Sequence, residues 1–137
     1  MDANGHMNLA YYVLVFDRAT DALFDRLGVG HGYRRTANRA LFAVETHTLY
    51  EQELQEGASV EVRTAVVGVD GKRLHLAHEM YGEGTTARVA AQELMYLHVD
   101  LGTRRSTPFP GDVATGLRAA VGGGRPGWLG RRVTLPG

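Results

Sequence analysis

Cysteine is absent from this chain of 137 residues. That absence excludes disulfide scaffolds, thiolate zinc sites and cysteine nucleophiles. Charge of one sign is absent too, since 15 Lys and Arg stand against 15 Asp and Glu. A general nucleic-acid binder needs a cationic surplus to neutralise phosphate, so that class is disfavoured, although local basic clusters remain. No stretch approaches the roughly 18 to 20 uninterrupted apolar residues of a membrane span. The N-terminus shows no basic region followed by an apolar run and a cleavage site. The expectation is therefore a cytoplasmic protein with neither a nucleic-acid nor a membrane partner. Serine is scarce: Ser59 and Ser106 are the only two, and neither sits in a Gly-x-Ser-x-Gly elbow, which disfavours a serine hydrolase. What remains is enough for one domain, because 44% of the residues are hydrophobic and can fill a core at this length.

The order of elements is legible. Leu9, Tyr12, Val13, Phe16, Leu23, Phe24 and Leu27 recur at helical intervals, with Asp17, Arg18, Asp21, Asp25 and Arg26 between them. This predicts one amphipathic helix of about five turns, capped by Asn8 and stopped at Gly28. Its stripe is broad enough to press against a sheet or a partner. Gly28 to Arg39 reads as a loop carrying Arg34, Arg35 and Arg39. The period then changes to two. Leu41 to Tyr50, Val60 to Val69, Arg73 to Tyr81 and Arg88 to Val99 read as strands, with Asp70-Gly71 and Gly82-Glu83-Gly84 as turns. Short connections favour antiparallel neighbours, so a four-stranded meander is expected. Past Asp100 the signal weakens: Asp112 begins a short helix with Val113, Leu117, Ala120 and Val121, and Gly122-Gly123-Gly124 leads into a tail. One long helix and an antiparallel sheet make an α+β arrangement, and the edges of a single small sheet call for a second subunit.

The densest chemistry lies in Asp2-Ala3-Asn4-Gly5-His6-Met7-Asn8, directly ahead of the long helix. A helix start presents N–H groups without intrahelical partners and favours negative charge, including the oxyanion formed when a carbonyl is attacked. Asp2 suits a base or nucleophile, His6 a general acid or base, and Asn4 an orienting or polarising group. The competing reading is an ordinary capping loop, in which Asp and Asn satisfy backbone groups and Gly5 takes a positive φ.

With Tyr11-Tyr12 and Phe16-Asp17 following it, this run resembles the start of the central helix in hotdog-fold thioesterases of the 4-hydroxybenzoyl-CoA type. Its Asp-x-Asn-x-His pattern is also similar to that of plant acyl-carrier-protein thioesterases. The resemblance continues through Val44-Glu45-Thr46-His47, Lys72-Arg73-Leu74-His75 and Leu97-His98-Val99-Asp100, and so covers residues 2 to 110. With Pro126 to Arg132 included, the run is most similar to stand-alone or fused domains described as betainyl-CoA thioesterases of carnitine breakdown. The resemblance implies a hotdog domain over 1–110, with 111–137 as a short helix and C-terminal tail of the same domain. It implies hydrolysis of a small acyl-CoA thioester by a homodimer or homotetramer, with no cofactor. Asp2 would be the nucleophile or the base for water, Asn4 and His6 would assist, and the thioester carbonyl would lie near Gly5 and His6. Glu45 and Asp17 are the candidates for a further acidic residue. Hotdog domains usually have a strand before this motif. Here the motif follows Met1 directly, so either this start falls after that strand or the sheet lacks it and loses a strand beside the site.

Other residues carry weaker signals. His75 and His78 form His-x-x-His, but on a strand side chains three apart point to opposite faces and cannot share an ion, so no metal is expected. His47 and His98 read as packing or interface residues. Arg34, Arg35, Arg39, Lys72-Arg73 and Arg104-Arg105 suit the phosphates of coenzyme A, with solvated loop charge as the alternative. Tyr11, Tyr12, Phe16 and Trp128 are candidates for an acyl pocket able to attract a trimethylammonium head, with core packing as the alternative for Tyr12 and Phe16. Two other functions stay open. A hotdog hydratase carries Asp-x-Asn-Pro-x-His, which Gly5 and the early His6 disfavour. A non-catalytic acyl-CoA-binding module fits the absence of the first strand.

Overall fold

The computed structural model describes residues 9–55, 57–84 and 86–135. Helix α1 runs from Leu9 to Leu27 and buries Tyr12, Phe16, Thr20, Leu23 and Phe24. Against the expected stripe, Leu9 is 59% exposed, Val13 and Leu27 are only half-buried, and the polar Thr20 joins the buried face. The helix ends as the sequence predicts. Gly28 takes φ +73°, its N–H bonds the Asp25 carbonyl at 3.3 Å, and the N–H of Val29 bonds the Phe24 carbonyl at 3.0 Å. This pair of bonds is a Schellman closure. Phe24 and Val29 share one core cluster, which supplies the hydrophobic contact that accompanies such a stop.

The stretch read as a loop contains a second helix, α2, His31–Ala37, ended by Asn38 at φ 55°. It buries no residue and has no side-chain cap, so neither an apolar stripe nor a capping residue announced it. Strands β1 (Arg39–Tyr50), β2 (Val60–Val69), β3 (Arg73–Gly82) and β4 (Arg88–Asp100) follow. A two-residue β5, Arg105–Ser106, and helix α3, Gly111–Ala119, complete the described elements.

The meander expectation holds for three strands and fails for the fourth. The order is β1-β4-β3-β2, so β1 pairs with β4 rather than with its successor β2, and β5 also pairs with β4. The reason lies in residues 51–59, a connection long enough to carry the chain away from β1 across the beginning of α1. Leu54 on that crossing is buried with Tyr12 and Phe16, and the Tyr12 hydroxyl bonds the Gln52 carbonyl at 3.4 Å. The β2–β3 turn also closes differently from the usual Asp-Gly hairpin. Gly71 is not among the positive-φ glycines; instead the Asp70 carboxylate accepts the N–H groups of Lys72 and Arg73 at 2.9 and 2.6 Å.

The sheet has two different faces. Its inner face meets α1 through Leu74, Leu76 and Leu94 toward the C-terminal end of the helix and through Met80, Val89 and Ala90 toward the N-terminal end. Its outer face is covered by the C-terminal tail, where Trp128 packs on Ala77 and Ala91. No helix among the described residues is long and apolar enough to cross a membrane.

Candidate active site

Asp2, Asn4, Gly5 and His6, together with the expected cap Asn8, lie outside the described residues. What surrounds the point where they enter α1 is described. Tyr12, one turn into the helix, is 3% exposed and meets Tyr50 at the end of β1 edge to face, with ring centroids 5.4 Å apart and planes at 86°. Tyr12 is thus a wall residue whose hydroxyl is already bonded to Gln52. Tyr11 is exposed. Arg73 lies at the other end of β3, in a 2.7 Å ion pair with Asp70. Trp128 sits on the outer face, under Arg88 and bonded through Nε1 to Glu79. The sheet therefore separates Trp128 from the helix side, and it is not part of one pocket with Tyr11 and Tyr12.

Beneath the middle of α1 runs a row of polar groups, buried at Gln92 and His78 and half-buried at Thr48 and Thr64, that the sequence does not announce. Cross-strand pairing aligns Thr48 with Gln92, Gln92 with His78, and His78 with Thr64. His78 is fully buried, stacks on Phe16, and bonds Thr20 Oγ1 through Nε2 at 2.7 Å and Thr64 Oγ1 through Nδ1 at 2.8 Å. The Thr20 hydroxyl gives its only proton to the Phe16 carbonyl at 3.2 Å, so His78 Nε2–H must donate to Thr20. Thr64 in turn donates to Nδ1. A neutral imidazole satisfies every partner, and burial pushes its pKa down to about 4. Gln92 donates through Nε2 to Thr48 at 3.1 Å, while its Oε1 is the one buried side-chain polar atom without a partner among the described residues. Thr20 at helical spacing from Phe16 was the signal available for this row.

A cavity of about 300 Å³ opens between α1, α2 and β1, lined by Asp17, Thr20, Asp21, Phe24, Arg34 and Tyr96 among others. Burial, and then the neighbouring Asp21, raise the pKa of Asp17. The Tyr96 hydroxyl, bonded to Thr20, is raised by burial as well. Glu45, the other candidate acid, lines a separate cavity of about 380 Å³ on the outer face with His47, His75, Glu93 and Arg131. The two candidates are thus on opposite sides of the sheet. His75 bonds Glu93 there at 2.5 Å while His78 faces the helix, as the spacing argument requires. His98 is a packing residue: Nδ1–H donates to the Thr107 carbonyl and Nε2 meets the Tyr33 hydroxyl, both inside 3 Å.

The arginine clusters, dispersed in sequence, converge at one end of the sheet. Arg39 pairs with Asp100 at 3.5 Å, Arg105 is in register with the same Asp100, and Lys72 Nζ reaches Ser106 Oγ at 3.4 Å. The backbone locks these pieces together, with His98 N–H on the Lys72 carbonyl at 2.8 Å and Leu101 N–H on that of Asn38 at 3.0 Å.

The chain has clear relatives. It is 41% identical to a betainyl-CoA thioesterase of Pseudomonas aeruginosa over 99% of its own length and 88% of that protein's. It is 40% identical to an L-carnitine dehydrogenase/betainyl-CoA thioesterase of Agrobacterium fabrum over 80% of its length, and there it spans only 22% of the bifunctional protein. Among solved structures, a Staphylococcus aureus protein in complex with CoA superposes with a TM-score of 0.90 at 28% identity, covering 99% of this chain and 88% of that one. The sequence profile described as the thioesterase-like superfamily matches residues 1–117. With a helix and wrapping antiparallel sheet of that family's hotdog architecture, the chain belongs to the thioesterase-like superfamily and is a thioester hydrolase of the acyl-CoA class.

Proposed function

We propose that this thioesterase acts on betainyl-CoA, adding water to the thioester to give glycine betaine and free coenzyme A. The observation that carries this reading is the 41% identity to a betainyl-CoA thioesterase across nearly the whole of both chains. In the reaction, Asp2 either attacks the carbonyl, giving a mixed anhydride that water then hydrolyses to release the acid and the carboxylate, or takes a proton from a water that attacks the carbonyl directly. The carbon–sulfur bond breaks, and the thiolate leaves and is protonated. Asn4 and His6 orient and polarise the thioester. The N-terminal end of α1 favours the oxyanion, because its N–H groups have no intrahelical acceptors. The basic end of the sheet, with Arg39, Lys72, Arg73 and Arg105, supplies the charge that coenzyme A phosphates need. The reading includes a cytoplasmic homodimer or homotetramer.

The test is release of free thiol from a panel of acyl-CoA esters, followed with a thiol-reactive dye. Betainyl-CoA should release coenzyme A with the highest kcat/KM. Rapid release from a neutral short-chain or aromatic ester in preference to betainyl-CoA would replace the substrate. Alteration of an unsaturated acyl chain without thiol release would indicate a hydratase, and binding without either would indicate a carrier module.

A further inference from the structure

The betainyl group carries its cation one methylene from the thioester carbonyl. If that carbonyl is held at the start of α1, the trimethylammonium must be recognised within about one helical turn of it. This requirement discriminates among the candidates. The acidic cavity fails it, because Asp17 lies eight residues beyond Leu9, about 12 Å along the helix at 1.5 Å per residue. Trp128 fails it because the sheet stands between. Tyr11 and Tyr12 are both at the right height, and of the two Tyr12 is buried with its hydroxyl engaged by Gln52 while Tyr11 is exposed on the helix.

Tyr50 meets the requirement. It ends β1 on the inner face, in register with Ala90, whose small side chain leaves the neighbouring strand low beside it. It rests against Tyr12 edge to face and keeps 42% of its surface exposed. Three other rings already carry an arginine of this chain: Phe42 lies under Arg34, Tyr81 under Arg63 and Trp128 under Arg88. Tyr50 carries no such intramolecular cation among the described residues. We infer that the exposed ring of Tyr50 is the aromatic wall that recognises the quaternary ammonium of the acyl group, making it the specificity-determining residue of the thioesterase site. A trimethylammonium has no proton to donate, so an aromatic face, rather than a hydrogen-bond acceptor, is the chemistry that separates it from a neutral group of the same shape. Tyr12 serves as the buttress that fixes the ring. This inference rests on betainyl-CoA being the substrate.

The experiment compares betainyl-CoA with 3,3-dimethylbutanoyl-CoA, in which carbon replaces the quaternary nitrogen in the same shape. The readout is the ratio of their kcat/KM values. Tyr50→Leu should lower that ratio by about two- to thirtyfold, chiefly through KM for betainyl-CoA, and Tyr50→Phe should preserve it. Phenylalanine analogues of increasing fluorination at position 50 weaken the ring face at nearly constant shape. They should lower the ratio stepwise, and they keep the test decisive should the leucine variant fail to fold. A wild-type preference for betainyl-CoA that survives both leucine and fluorination would overturn the role of Tyr50 alone. A wild-type enzyme without that preference would overturn the substrate reading and this inference together.

Discussion

Protonating His78 would bury a charge among Thr20, Phe16 and Thr64, and the folded state resists it. Its folded pKa of about 4 lies below the model-peptide value of 6.5. The unfolded chain therefore takes up the proton first as pH falls. Stability should be full above pH 6.5 and decline as pH drops toward 4, by about 3 kcal/mol in all if this group acts alone. Urea midpoints measured between pH 7 and pH 4 check the sign, and His78→Gln should flatten the profile while lowering its plateau. The unpartnered Gln92 Oε1 predicts the opposite kind of result. Gln92→Met removes an orphaned buried acceptor at the expense of one bond to Thr48, so stability should stay within about 1 kcal/mol of wild type or rise. At Asp2, replacement by Asn should remove most turnover while thermal unfolding is unaffected; full activity would exclude the carboxylate from the chemistry. The run before the helix stands out in the sequence because Asp, Asn and His are concentrated there, and it lies outside the described residues. The polar row does not, because threonine, glutamine and histidine on four separate strands look like ordinary strand residues until pairing sets those strands side by side.

At the scale of elements, the stop signal of α1 is the most directly testable. Gly28 takes a positive φ with nothing within 4 Å of an added Cβ, so a side chain there would meet only backbone strain. Gly28→Ala should cost about 1 kcal/mol in urea denaturation, and Gly28→Asn less, because Asn tolerates the left-handed region. The helix and all four long strands were readable from period and turn residues, with ends displaced by two residues at most. Two elements and one pairing were missed for physical reasons; of these β5 has only two residues, too few for a period to show. Helix α2 is short and buries nothing, so it leaves no periodic trace. The pairing of β1 with β4 depends on where residues 51–59 travel, and Leu54 shows why: an apolar residue within a polar crossing is drawn to Tyr12 and Phe16 across the helix. Local spacing does not encode such a partner.

For the whole molecule, β1 is the strand that asks for company. Among the described residues it forms one border of the sheet and presents exposed Phe42 and Val44, with Leu9 and Leu14 of α1 also exposed. Apolar side chains along an unpaired strand edge favour a second chain. Light scattering at micromolar concentration should give a multiple of the 14.9 kDa chain mass, and Val44→Lys should shift it toward the monomer. The opposite side of the sheet behaves differently. Glu93 accepts the Gly130 N–H at 2.7 Å and Glu79 the Trp128 indole at 3.3 Å, which ties the tail across Ala77, Ala91 and Leu49. Two carboxylates thus act as cleats for a strip of main chain that shields what would otherwise be a greasy plane. Cutting the chain after Gly122 should therefore leave the catalytic side standing and turn its back adhesive, a change that a hydrophobic dye and sedimentation would register before any loss of turnover.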